Sequence, residues 1–338
     1  MAKVTAGRSV GLEIDYGTVR AVEAAGTPSA PRIIVMASNT LPEESVDEGM
    51  ILNSQQVGQA LRDLWNAGQV KYRKVVLGVS NQGVLVRHTV IPKVNKDKLN
   101  NVIRFQAQEL LPVALDSVVM DYMITGETTA EDNPAYEVLI VAARREMLSA
   151  FLEALDYANL EVADIDVSTL ALMRVLPETA VNRTVAVINI ANGLSNIMIY
   201  DRGRPRLARL VSIKLKSLAD KLAVNLSSVL EAADTSSGEK RRAYNEWLNE
   251  LITEVGSSLS YYQNQESSTN LEAIILNGRG ALLGGLAGRL EEALGIPVRI
   301  TNPFAGYINV SKKADKVGLE AVKYAISAGL AQRGLEGS

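Results

Sequence analysis

Two stretches of this chain share one layout, and that repeat constrains the fold more than any other feature. Val10 to Glu23 reads VGLEIDYGTVRAVE: an apolar strand running into Glu13 and Ile14, a tight turn through Asp15, Tyr16, Gly17 and Thr18, then a second strand carrying Arg20. Arg32 to Ala37 supplies a third strand. Thr184 to Tyr200 repeats the order, with an apolar strand, a polar turn at its end and a second strand. Arg206 to Ile213 is its third strand. Either unit alone reads equally well as a plain β-hairpin opening a sheet. Turns of this type also offer backbone N–H groups to an anion, because small residues let the chain approach closely. The recurrence predicts two related halves, each with its own phosphate-facing hairpin.

Composition narrows the function classes. At 338 residues two domains are expected. A net charge of −3 gives no general pull toward nucleic acid or anionic lipid, so neither is expected as a partner. The absence of cysteine excludes disulfides, thiolate metal sites and a cysteine nucleophile, and suits a reducing compartment. With His88 as the only histidine, His-cluster metal sites and a Ser-His-Asp triad elsewhere are excluded as well. His88 itself, alone in a strand, reads as a surface or satisfied residue. No run approaches roughly 18 apolar residues, and the N-terminus lacks a signal-type apolar core. A soluble cytoplasmic chain without membrane insertion is expected.

Between the repeats the pattern changes twice. Asn53 and Ser54 cap a helix from Gln55 to about Ala67, and Lys74 to Val79 is a buried strand. Val84 to Pro92 is a strand ended by its proline, and Asp97 to Leu111 an amphipathic helix. Val118 to Ile124 and Tyr136 to Ala143 fit an antiparallel hairpin, with a long, loose polar tip expected from Gly126 to Pro134. A helix from Arg145 to Ala158 completes a small α+β insert. Ser168 to Leu176 reads as a helix returning to the first layer. Leu215 to Tyr262 is helical with a break near Ala233 to Gly238, and Glu239 to Arg242 reads as a solvated helix start. Leu271 to Leu276 is a strand running into Asn277-Gly278-Arg279-Gly280-Ala281 and a helix from about Leu282. A strand leading through glycines to a helix start suits anion and nucleotide binding, although such turns also serve only to reverse the chain. Gly295 to Ile300 is the last strand, and a terminal helix is expected from Ala314 to Leu330.

Two hairpins and a late glycine turn, in this order, resemble the actin-like ATPase superfamily with its two phosphate loops and adenosine loop. Within it, the chain resembles the PilM family of type IV pilus assembly proteins. The stretches carrying that resemblance are Phe105 to Pro112, Asp116 to Tyr122, Val141 to Glu146, Asp164 to Leu172, Asn302 to Phe304 and Ala328 to Leu335. It implies an α/β, two-lobed actin-like (RNase H-like) fold with a small α+β insert in the first lobe. Residues 1–83 plus 161–183 would form the first subdomain (1A) and 84–160 the insert (1C-like). Residues 184–214 plus 271–338 would form the second actin-like subdomain (2A), with the terminal helix packing back toward 1A, and 215–270 a helical subdomain (2B). The implied role is a cytoplasmic platform, peripheral to the inner membrane and homo-oligomeric. It would bind the cytoplasmic N-terminal tail of a PilN-like membrane protein in a cleft between the insert and the first subdomain. The alternative is an actin-like ATP-binding cytoskeletal or division protein resembling FtsA. That type would carry a basic amphipathic membrane helix at its C-terminus, and Leu330 to Ser338 reads as too short and too weakly basic for one.

The resemblance assigns Glu13, Asp15, Gly17, Thr18 and Arg20 to the first phosphate loop. Asn189, Asn192, Gly193 and Ser195 fall in the second, and Gly278, Arg279 and Gly280 in the adenosine loop. ATP and Mg²⁺ are the implied cofactors; no catalytic residue or metal ligand is assigned. Each loop departs from the family pattern. Asp15 and Tyr16 replace a glycine and a small residue, and a carboxylate about 5 Å from a phosphate charge is repelled by about 3 kcal/mol at an effective dielectric near 20. Asn189 stands where an aspartate is usual, without the charge that water-bound Mg²⁺ prefers. Ala191 and Arg279 replace glycines. A degenerate nucleotide site is therefore expected, and not an efficient ATPase.

Overall fold

The computed structural model describes residues 7–68, 70–130, 132–265, 268–307 and 318–336. β1 (Gly7–Asp15), β2 (Thr18–Thr27) and β3 (Ala30–Thr40) form a meander. The short strands β4 (Val46–Asp47) and β5 (Met50–Ile51) pair ahead of α1 (Ser54–Gly68) and β6 (Lys74–Val79). The middle of the chain contributes β7 (Val84–Pro92), α2 (Lys96–Leu110), β8 (Val118–Ala130), β9 (Asn133–Arg144) and α3 (Arg145–Tyr157). β10 (Glu161–Val167), α4 (Ser168–Ala171) and α5 (Glu178–Val181) lead to the second meander, β11 (Thr184–Asn189), β12 (Ser195–Asp201) and β13 (Arg204–Val211). There follow α6 (Leu215–Leu222), α7 (Val229–Asp234), α8 (Gly238–Gln263), β14 (Ala273–Asn277), α9 (Leu286–Leu294), β15 (Val298–Ile300) and α10 (Ala325–Glu336).

The repeat read from the sequence is a repeat of topology. Two five-stranded sheets run β3-β2-β1-β6-β10 and β13-β12-β11-β14-β15. In each, a meander of three antiparallel strands continues into two strands parallel to the first. β1 and β11 are interior strands covered on both faces, which is why Val10, Leu12 and Ile14, and Val185 through Ile188, are all buried. On the first sheet, α1 and α3 cover one face through Leu61 and Phe151, while α10 covers the other through Ile326 and Leu330. α6 and α8 cover one face of the second sheet around Trp247, whose indole N–H donates to the Lys214 carbonyl (3.1 Å).

The three-stranded sheet β7-β9-β8 lies astride both halves. Alternation along β9 sends Val138, Ile140 and Ala142 toward Ile103 and Ala107 of α2. Leu139 and Val141 go the other way, into a cluster with Val167 and Leu170 of the first half and Met198 and Tyr200 of the second. Glu137 on that face accepts from Arg206 Nη1 (2.7 Å) and Arg204 Nη1 (3.3 Å), both on β13. Gly126, at a register shift in β8, makes room for this group: a Cβ there would lie 2.5 Å from Arg204 Nη1 and 2.7 Å from Glu137 Oε2.

Some boundaries differ from expectation. The polar tip from Gly126 to Pro134 is not a loose loop, because β8 continues to Ala130 and β9 resumes at Asn133. Cross-strand hydrogen bonding stabilises the polar residues there, a tertiary effect that composition does not carry. Glu161 to Val167, given no element from the sequence, is the edge strand β10. The helix read over Ser168 to Leu176 is one α turn followed by 3₁₀ structure. Of the terminal helix, Ala314 to Val317 lies outside the described residues, Gly318–Tyr324 is 3₁₀ helix, and α10 begins at Ala325.

Glu137→Ala leaves Arg206 buried without its nearest carboxylate, so chemical denaturation is expected to show a loss of roughly 3 kcal/mol. The double change Glu137→Leu, Arg206→Met should cost clearly less than the single one. Additive losses would mean that the pair is not coupled.

Candidate functional site

The turn after β1 faces the loop joining β11 to β12, and one side chain joins them. Asp15, the last residue of β1, is 8% exposed. Its Oδ2 accepts the Asn192 N–H (3.0 Å), and its Oδ1 accepts those of Gly193 (2.9 Å) and Tyr16 (2.8 Å). Asn192 Nδ2 donates in return to the Tyr16 carbonyl (2.9 Å). Gly193 permits the approach, since a Cβ there would lie 2.9 Å from Tyr16 Cβ and 3.1 Å from Asp15 Oδ1. The Tyr16 hydroxyl donates to Glu43 Oε2 (2.9 Å); burial first, then this bond and the Glu43 charge, push the phenol far above its ordinary pKa.

Behind this junction sit a buried cation and a second carboxylate. Arg20 Nη1 lies 3.3 Å from Glu13 Oε1 and 3.7 Å from Asp15 Oδ2. Burial pushes the Glu13 carboxyl up to about 7 despite the opposing pull of Arg20, and Ser327 Oγ donates to its Oε2 (3.4 Å). Burial also opposes the Arg20 charge, but Glu13 and Asp15 outweigh it and raise that pKa.

Beside the junction opens a cavity of about 740 Å³, within the size range of small-molecule sites, lined in part by Thr18, Arg20, Asn192, Ser227, Arg279 and Tyr324. Arg279 crosses its wall. Its Nη2 donates to the carbonyls of Leu226 (2.8 Å) and Ser227 (3.0 Å), and its Nη1 to Asn192 Oδ1 (3.4 Å). Burial, and then the charge of Arg20, lower the Arg279 pKa.

A separate groove of about 320 Å³ lies between the three-stranded sheet and the first half. Val119, Met123, Val141, Leu148, Val167 and Leu170 give it an apolar lining, with Asp121, Tyr122, Arg174 and Arg333 around them. The arginines carry carboxylate partners: Arg174 Nη1 lies 2.8 Å from Asp166 Oδ2, and Arg333 Nε 3.0 Å from Asp164 Oδ2. Two edge strands, β8 and β10, contribute to its walls.

The sequence profile of type IV pilus assembly protein PilM matches residues 11–335. The chain belongs to this family. A solved PilM-PilN type IV pilus biogenesis complex is 26% identical, with a TM-score of 0.85 over 97% of this chain and 98% of that one. Cell division protein FtsA of Bacillus subtilis (strain 168) is 18% identical over 366 residues, 93% of this chain and 83% of that protein. MreB 5 of Spiroplasma citri bound to AMPPNP has a TM-score of 0.53 at 9% identity, covering 95% of this chain and 94% of that one, a likeness of fold alone. The two-lobed actin-like, RNase H-like α/β fold implied by the sequence is the fold of this chain. Among its described residues no helix is long and apolar enough to cross a membrane.

Seen within the PilM family, the residues assigned to the three loops divide by location. Gly17, Thr18, Arg20, Asn192 and Arg279 line the large cavity. Glu13 and Asp15 lie behind it, and Ser195 turns away to donate to the Ile213 carbonyl. Asn189 is buried at the end of β11 beside Asn277, and its Nδ2 has no hydrogen-bond partner among the described residues. Gly278 and Gly280 pack on Ile190, whose carbonyl accepts the Gly280 N–H (2.9 Å). Glu43, Leu226, Ser227 and Tyr324 were not anticipated in the cavity wall, and no spacing in the sequence marks them. The groove is different: the stretches Asp116 to Tyr122, Val141 to Glu146, Asp164 to Leu172 and Ala328 to Leu335 all contribute lining residues to it.

The residues assigned to the first loop offer Mg²⁺ no uncommitted carboxylate. Mg²⁺ takes carboxylate and water oxygens, and the two carboxylates here are engaged by Arg20 and by backbone amides. The amides of Asn192 and Gly193, assigned to the second loop, are bonded to Asp15.

The raised Glu13 pKa makes stability depend on pH. The folded chain binds this proton more tightly than the unfolded one, so the contribution is full below pH 4.5 and is lost as pH rises through about 7. Glu13→Gln should remove that slope, and the wild type should lose up to roughly 3 kcal/mol relative to it across the window. Parallel pH profiles in urea denaturation would refute the assignment.

Proposed function

We propose that this PilM family member is a cytoplasmic platform of type IV pilus, or pilus-like secretion, assembly. It holds the cytoplasmic tail of a PilN-like inner-membrane protein, and its nucleotide site is degenerate. The convergence of four separate family-like stretches on one apolar groove carries this reading. The groove suits an extended peptide. Its apolar lining gives side-chain pockets, and edge strands β8 and β10 present unpaired backbone groups to which an extended segment can hydrogen-bond. The related PilM-PilN complex supports a PilN-like protein as the partner. Membrane association then comes through that partner. Loop departures at Asp15, Asn189 and Arg279 support the degenerate site. The nucleotide-bound MreB 5 structure belongs to a protein that shares only the fold.

Val119 is 45% exposed in the groove and suits a test. With a fluorescent peptide of the partner's N-terminal tail, Val119→Asp should weaken binding at least about tenfold. Its melting temperature should stay within about 2 °C of the wild type. No binding by the wild type, or equal binding by the variant, would remove the groove's role. Calorimetry of the wild type with Mg-ATP should show no micromolar binding; micromolar affinity would contradict the degenerate site.

A further inference from the structure

The junction between the two hairpin loops is chemically an anion site that already holds an anion. Backbone N–H groups of Tyr16, Asn192 and Gly193 converge on one carboxylate at 2.8, 3.0 and 2.9 Å. Convergent backbone N–H groups are a general binding arrangement for oxyanions, and phosphate and carboxylate oxygens accept from them in the same way. We propose that Asp15 is a tethered stand-in for a phosphate: it fills the oxyanion position between the two lobes and keeps them joined without any ligand. This deepens the degenerate-site reading and rests on it.

Three observations support the assignment beyond the hydrogen bonds. The carboxylate is sealed, 8% exposed, so it is not a surface group that happens to lie near a loop. Arg20, itself buried, lies 3.7 Å from its Oδ2 and supplies the counter-charge an oxyanion needs. Gly193 leaves the space that brings the two loops within hydrogen-bonding distance. A tethered carboxylate acts at a high effective concentration, so a free phosphate must displace an intramolecular competitor and not merely enter an open site. The large cavity next door stays open, with Arg20 and Asn192 in its wall and Asp15 behind it. If the carboxylate is removed, the amides are left unpaired beside Arg20, and the position becomes a site for inorganic phosphate or for the phosphate of a nucleotide.

Thermal unfolding of the full chain tests this. Asp15→Gly should lower the melting temperature by about 5 °C. Millimolar inorganic phosphate, and formate as a free carboxylate, should restore at least half of the loss while leaving the wild type unchanged. Asp15→Asn, which keeps the bulk and removes the charge, is measured in parallel. Restoration by phosphate and formate in either variant supports the stand-in. Restoration in neither, or an equal phosphate shift in the wild type, overturns it. ADP in place of phosphate separates the two sources of the ligand: a larger shift with ADP assigns the opened position to a nucleotide, and an equal shift to phosphate alone, each in line with the proposal. Micromolar Mg-ATP binding by the wild type would instead overturn the degenerate-site reading. Failed rescue without wild-type binding overturns the stand-in alone.

Discussion

One carboxylate holds the centre of this molecule. Asp15 ends the first interior strand, and its two oxygens take the backbone N–H groups of the loop that ends the second. Hydrogen bonds to a charged acceptor contribute about 1.5–3 kcal/mol each when sheltered from water. Arg20 keeps the buried charge tolerable, and Glu13 shares the same guanidinium. Two sheets of identical topology therefore face each other across a contact made by the chain itself. The frame is that of a nucleotide-binding fold, while the position between its loops is occupied from within.

The cleft and the groove are separate, yet one helix reaches both. Ser327 near the start of α10 donates to Glu13 behind the cleft, and Arg333 near its end pairs with Asp164 at the groove. Six residues separate them, about 9 Å along a helix. The three-stranded sheet meets both lobes, lining the groove with Val141 and anchoring to β13 through Glu137. The groove thus sits on a scaffold whose lobes are already joined.

Much of the frame was legible because it rests on local pattern. The repeated strand–turn–strand units and the helices with 3.6-residue periodicity follow from where apolar residues fall. β10 was not legible, since its mixed charges Glu161, Asp164 and Asp166 suit an edge and not a buried run. At the site, the departures at Asp15 and Arg279 were visible, but not their destinations. Asp15 read as a group that would repel a phosphate, and it bonds the backbone amides of Asn192 and Gly193. Arg279 read only as a replaced glycine, and it anchors to the Leu226 and Ser227 carbonyls. Both outcomes depend on residues some 50 to 180 positions away in the chain, which periodicity does not connect.

Amide hydrogen exchange at Asn192 and Gly193 in nucleotide-free protein tests the central claim most directly. If Asp15 closes the junction, both amides are protected by several orders of magnitude, and adding Mg-ATP leaves their rates unchanged. Fast exchange of both amides, slowed only when nucleotide is added, would contradict it.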